Sequence, residues 1–204
     1  MTEGSKITLS AEELQLAANT DWILTKRSVI EKTVLLFGQL AQAMQNEVGR
    51  QGTMLPAPIF NSTPKIAKGE NYLQLPYVIL DYPRCFNKPD IFAVRTMFWW
   101  GNFFSITLQV SGIYKNKLQQ QLLDNSMQHQ WEDFYICINE DEWQHHFEED
   151  NYLPCKELSA AAFKKITADK SFIKVAIKYE LQQWNEIQQL LQIKFKQLLH
   201  FAVD

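Results

Sequence analysis

Arg95 is the first residue whose placement demands an explanation. It falls in Ile91 to Trp100, a strand-like run whose other residues are mostly apolar. A guanidinium on an apolar strand face needs an anion, because desolvating an unpaired charge is costly. Asp81, in the preceding strand-like run Tyr77 to Tyr82, is the partner the order of elements offers. Arg84, just past Pro83, is close enough in sequence to join them. Two chemistries fit this constellation. One is a sealed Arg–Asp pair. The other is an anion anchor walled by aromatic rings, with Trp99 and Trp100 as the walls. Asp81, Arg84, Arg95, Trp99 and Trp100 are therefore the candidate ligand-binding residues.

The second constellation is the stretch 131–150. It carries eight carboxylates, no Lys and no Arg, with His145 and His146 inside it and His129 just before. If 140–149 is helical, Glu142 and His146 stand at i,i+4, a spacing at which carboxylate and imidazole can share a metal ion. They are the candidate metal ligands. No H-x-x-x-H or H-E-x-x-H accompanies them. A solvated acidic surface, or a docking patch for a basic partner, fits the same composition.

The third is Cys85, beside an arginine that lowers a thiol pKa where the two meet. Cys137 and Cys155 complete an odd set without a C-x-x-C pair, so neither a disulfide framework nor a zinc ribbon is indicated. Each reads first as a small buried hydrophobe. No G-x-S-x-G elbow is present, and the seven glycines assemble neither a P-loop nor a G-x-G-x-x-G. No motif calls for a cofactor.

The elements that must position these groups are legible from pattern. Ser10-Ala11-Glu12-Glu13 reads as a capping box opening a helix to Ala18. A second helix, capped at Asn19 to Asp21, carries Ile23, Arg27, Ile30, Val34, Phe37, Ala41, Met44 and Val48 on one face, and Gly49 and Gly52 end it. Residues 49–69, rich in Gly and Pro, read as a long loop: a lid, a wrap over the core, or a concealed strand. The hairpin Ile91 to Ser111 is predicted to turn on a two-residue Gly101-Asn102 loop. That register sets Arg95 opposite Leu108, on a core face with Met97, Trp99, Phe104, Ile106 and Val110. Thr96, Ser105, Thr107 and Gln109 then share the other face with Trp100 and Phe98.

Lys115 to Met127 reads as a helix with Leu118, Leu122 and Leu123 inward, and Asp133 to Ile138 as a strand. Ser159 caps a helix over 160–167, and Ile173 to Tyr179 alternates as a half-buried strand. A final stripe of Leu181, Trp184, Ile187, Leu191, Phe195, Leu198 and Phe201 predicts an amphipathic helix, with one continuous helix from Phe172 as the rival reading. Strands bracketed by helices without β-α-β alternation predict an α+β fold over residues 1–204 as one domain. Its expected core is a mostly antiparallel sheet of five or six strands, packed with the N-terminal helices and a long C-terminal helix.

Composition bounds the function. Apolar residues make up 46% of the chain, aromatics 13%, and the net charge is -3 without a basic run. That is enough to bury a core and disfavours nucleic acid as a partner. No apolar stretch approaches the ~20 residues of a membrane span, and residues 1–6 carry no signal-peptide pattern, so a cytoplasmic protein is expected. The residues fit best a small-ligand-binding or protein-interaction domain without a recognisable catalytic motif. The alternative is a metal-dependent or cysteine-based enzyme. The C-terminal stripe suits either the core or a homodimer interface.

Overall fold

The computed structural model describes residues 7–123 and 131–200. The fold is α+β, with helices α1 (Ala11–Ala18), α2 (Thr20–Gln51), α3 (Ala57–Phe60), α4 (Gly112–Leu123), α5 (Ala160–Asp169) and α6 (Ile187–His200). Strands β1 (Lys65–Tyr72), β2 (Leu75–Asn87), β3 (Asp90–Trp99), β4 (Phe103–Ser111), β5 (Tyr135–Cys137), β6 (Tyr152–Pro154) and β7 (Phe172–Glu180) form one antiparallel sheet. Its order is β1-β2-β3-β4-β7-β5-β6, seven strands rather than the expected five or six. The added ones are β1 and β6. β1 is an edge strand whose outward residues are Lys65, Lys68 and Glu70, so it lacks an apolar run to betray it. β6 is only three residues long.

One sheet face carries the main core. Val78, Leu80, Val94, Phe98, Phe104, Ile106, Leu108, Val175 and Ile177 are buried there under α2 and α6. The stripe of α6 belongs to this core: Ile187, Leu191, Phe195 and Leu198 are all buried, and Phe195 stacks on Tyr82 at 6.3 Å. A turn of 3-10 helix, Leu181–Gln183, separates β7 from α6, so no continuous helix runs from Phe172. Phe201, His129 and residues 124–127 lie outside the described residues, as do the side chains of Leu122 and Leu123.

The helical signals held where periodicity and caps agreed. Ser10 and Glu13 form a complete capping box, and the Asn19 side chain accepts from the Trp22 N–H at 3.0 Å. In α2, Ile30, Phe37, Ala41, Met44 and Val48 are buried. Ile23 and Arg27, on the same stripe, are exposed, although the neighbouring Lys26 reaches Glu70 of the edge strand β1 at 2.6 Å. Residues 49–69 are pinned down. Residues 49–51 continue α2 through Gly49 to its cap at Gly52, and the rest form a 3-10 turn (Gly52–Met54), α3 and the start of β1. Ile59 is fully buried, and the backbone N–H of Arg84 donates to Ser62 Oγ at 2.8 Å. Residues 57–60 are helical, not extended.

The hairpin differs from expectation in one respect, and it changes the second sheet face. Trp99 pairs with Phe103 and Arg95 with Thr107, so the loop is Trp100-Gly101-Asn102, three residues and not two. Gly101 takes φ of +73°. The Asn102 N–H donates to the Trp99 carbonyl at 3.0 Å, and the Trp100 N–H to the Pro76 carbonyl at 3.0 Å. A one-residue slip sends every side chain of a strand to the opposite face. Phe104, Ile106, Leu108 and Val110 therefore join Phe92, Val94, Thr96 and Phe98 under the helices. Arg95 shares the other face with Met97, Trp99, Phe103, Ser105, Thr107 and Gln109. Trp100 stays on the helix side, 6.1 Å from Phe98.

The β1–β2 turn is also tight. Leu73 and Gln74 hold φ of 47° and 67°, both in the left-handed region, as a two-residue hairpin turn requires. Neither side chain favours it, and each such residue costs on the order of 1 kcal/mol. Replacing the pair with Leu73→Asn and Gln74→Gly is expected to raise stability by about 1 kcal/mol. Urea denaturation checks this through a higher midpoint at unchanged slope; an unchanged or lower midpoint contradicts it.

Candidate functional site

The second sheet face is covered by a strap, residues 138–151, running between β5 and β6. It is not a helix, so the i,i+4 argument for Glu142 and His146 does not hold. Its shape follows from turn-forming side chains. Asn139 Oδ1 accepts from the Asp141 N–H at 2.8 Å, and Asp141 Oδ1 accepts from the Trp143 N–H at 2.9 Å. At the other end, the Asn151 carbonyl accepts from the Ile138 N–H at 2.8 Å, and its side-chain amide donates to the His146 carbonyl at 2.5 Å. These side-chain bonds offer the backbone an alternative to helical ladders.

Sheet and strap meet in one aromatic seam at the hairpin end, with a charged trough beside it. Phe147 packs against Phe103 at 5.0 Å, Tyr135 at 5.1 Å and Tyr152 at 4.6 Å. Phe103 in turn lies 5.4 Å from Trp99, and Tyr72 contacts Trp99 at 5.1 Å and the His145 ring at 5.7 Å. The Tyr72 hydroxyl accepts from the backbone N–H groups of His145 and His146, at 2.6 and 3.1 Å.

In the trough, Asp81 and Arg95 form the bidentate pair the sequence suggested. Arg95 Nε donates to Asp81 Oδ1 at 2.7 Å and Nη2 to Oδ2 at 2.9 Å. The third guanidinium nitrogen, Nη1, lies 3.0 Å from His145 Nε2, and the Trp143 ring sits 5.8 Å from the guanidinium carbon. A guanidinium only donates. His145 Nε2 must therefore be the acceptor, which fixes a neutral imidazole with its proton on Nδ1.

β7 and the residues leading into it supply the other cations. Lys170, Lys174 and Lys178, four residues apart, engage successive parts of the strap. Lys170 pairs with Glu140 at 2.7 Å. Lys174 donates to the carbonyls of Glu142, at 2.9 Å, and Gln144. Lys178 lies 5.4 Å from the centre of the Phe147 ring. Beside Lys174, Gln109 donates to the Glu142 carboxylate at 2.7 Å. Lys174 is 1% exposed, and its neighbours are carbonyls, with no carboxylate at ion-pair distance among the described residues.

These contacts set the protonation states. Burial pulls the Lys174 ammonium down to about 8, with Arg95 adding repulsion, while Cys137, Asp141 and Glu142 oppose the fall. Burial also holds His145 well below its ordinary 6.5, and Lys174, Arg95 and His146 push the same way. The Cys137 thiol is raised by burial in spite of Lys174.

The other candidates are dispersed. Arg84 turns outward, its Nε donating to the Thr63 carbonyl at 2.8 Å. Trp99 shares the face of Arg95 and donates to the Tyr72 carbonyl at 3.3 Å; Trp100 does not share that face. Cys85 is buried on the helix side, donates to the Pro58 carbonyl at 3.0 Å, and is pushed up by burial despite Arg84. Glu142 serves Gln109, while His146 Nδ1 lies 3.8 Å from Asp150. Among the described residues no three of His, Cys, Asp and Glu gather to hold a metal ion.

Lys174 is the residue that sequence reasoning passed over, and His145, noticed in the acidic stretch, was not matched to Arg95. Lys174 read as the wet side of an alternating strand, and nothing local marks a strap folding over it. The clustered Asn139, Asp141, Asp150 and Asn151 were the available sign that 138–151 turns instead of coiling into a helix.

Beside the strap, an open cleft of about 540 Å³ is bounded by Lys88, Ile91, Ser111, Trp143 and Phe172. No helix among the described residues is long and apolar enough to cross a membrane. Comparison with family models, with curated proteins and with solved structures returned no match.

The His145 geometry carries a pH dependence. Its folded pKa lies below its unfolded value, so the unfolded chain takes up the proton first as pH falls. The stability is complete above about 6.5 and is lost below it, by at most ~1.4 kcal/mol per pH unit. In His145→Gln the amide oxygen can still accept from Arg95 without titrating. Chemical denaturation between neutral pH and the acid limit is expected to show the wild type losing stability relative to H145Q. Parallel profiles contradict a buried neutral His145.

Proposed function

We propose that this is a small-ligand-binding protein, and that its site is the trough beneath the strap, specific for a small carboxylate or phosphate. The single observation that carries the reading is Lys174. A buried ammonium bonded to carbonyls is costly even with Asp141 and Glu142 near enough to oppose the shift: bringing it from 10.5 to about 8 corresponds to roughly 3 kcal/mol. Its bonds to the strap carbonyls tie that segment down, but neutral acceptors leave most of the charge uncompensated. An anion that displaced the two strap carbonyls would supply the missing charge. Arg95 presents Nη1 to the same trough once His145 moves aside. The Gln109 amide and Thr107 hydroxyl, on the strand between, would complete the donors.

The strap acts as the lid in this reading. It satisfies the trough with neutral carbonyls, weaker partners for an ammonium than a carboxylate or phosphate oxygen. Binding then exchanges carbonyl for anion, and the differential interaction opens the strap.

A thermal-shift series with acetate, succinate, inorganic phosphate and pyrophosphate, with chloride as the salt control, tests this. One anion class should raise the wild-type Tm progressively with concentration, reaching about 2.7 kcal/mol of stabilisation at a hundredfold excess over Kd. Lys174→Met and Lys174→Gln should abolish the shift. Absence of any anion-specific shift in the wild type, or an equal shift in both variants, contradicts the proposal.

A further inference from the structure

The N-terminal arm is a second feature the core does not account for. α1 buries no residue, and α2 begins to bury side chains only at Ile30. Ahead of that point, Ile7 and Leu9 before α1, Leu14 and Leu16 on it, and Trp22, Ile23 and Leu24 at the start of α2 are all exposed. Trp22, Ile23 and Leu24 are consecutive, so they point around the helix at about 100° intervals and not along one stripe. Three adjacent exposed apolar side chains spread over a broad arc of a helix form a patch that calls for cover. An eight-residue helix without tertiary cover is below the length that holds itself in water. At on the order of 100 Å² each, these side chains approach the ~800 Å² that one partner brings to a standard interface.

The charges say what covers them. The outer part of the arm, residues 7–21, carries Glu12, Glu13 and Asp21 and no basic residue. The inner part, residues 22–32, carries Lys26, Arg27 and Lys32 against Glu31; Lys26 pairs with Glu70 at 2.6 Å and Arg27 with Glu31 at 3.0 Å, exposed pairs into which a partner's carboxylates can exchange. An isologous pairing, in which two arms lie antiparallel, sets the acidic end of each against the basic end of the other. We propose that the arm is a homodimerisation element, pairing antiparallel with the same arm of a second copy about a two-fold axis. This places the interface on residues 7–32, away from the C-terminal helix, whose apolar stripe is occupied by the core.

Light scattering on the full-length chain at micromolar concentration and low salt tests the arrangement. The wild type is expected at twice the monomer mass. Trp22→Glu with Ile23→Glu should give a monomer whose circular dichroism keeps the wild-type sheet signal, since neither side chain is in the core. Reversing the outer charges with Glu12→Lys, Glu13→Lys and Asp21→Lys should likewise give a monomer. Mixing that variant with Arg27→Glu, Lys32→Glu should restore the dimer mass. A monomeric wild type, a dimer indifferent to W22E/I23E, or a dimer indifferent to charge reversal overturns the proposal.

Discussion

The Lys174 ammonium sits between a β-sheet and the segment that crosses it, and the second layer of the fold depends on how that charge is satisfied. The side chain comes from the middle of β7, on the face away from the helices, and is sealed at 1% exposure. Its donors go to backbone carbonyls of the strap. A buried cation left without acceptors costs several kcal/mol, so a closed strap must supply them and an open one hands the ammonium to water. The converse holds as well. Residues 138–151 have little regular structure of their own, and the lysine gives their carbonyls a partner they would otherwise find in water.

The two sheet faces are thus stabilised by different physics. Under α2 and α6, contiguous apolar side chains are withdrawn from water, and the gain scales with area and tolerates volume-conserving changes. Under the strap, Asp81, Arg95, His145, Lys174, Gln109 and Glu142 form a network in which each member fixes the protonation or orientation of another. Arg95 can offer Nη1 to His145 only because Asp81 takes Nε and Nη2. Such a network is sensitive to single deletions, since one loss strands a buried partner. The difference gives the molecule a firm half and a half sensitive to the protonation of its members.

How far the sequence reveals this follows from range. Helices α1, α2, α5 and α6 and strand β7 show themselves through periodicity and capping, which are local. The Asp81–Arg95 pair is visible because both residues interrupt apolar runs in neighbouring strands. The hairpin register is not, because apolar residues flank Gly101-Asn102 on both sides. Trp99 can oppose Phe103 or Phe104 with equal hydrophobic agreement, and only the bonds of Trp100 and Asn102 to Pro76 and Trp99 decide between them. The strap is hidden for a related reason. Its acidic residues look like a solvated helix, while the cations that engage it come from β7 and the residues leading into it, about thirty residues further along the chain. Long-range pairing of this kind leaves no period to read.

The central claim is that Lys174 holds the strap to the sheet, and amide hydrogen exchange on Lys174→Met tests it most directly. The variant keeps the volume of the side chain and removes its donors. Amides of the strap that are protected in the wild type, those of His145 and His146 bonded to Tyr72 among them, are predicted to exchange much faster. Those of α2, α6, β3 and β4 should keep their protection, since local opening need not follow the global unfolding free energy. Unchanged exchange across residues 140–147 would contradict the account, as would a uniform loss of protection throughout the sheet.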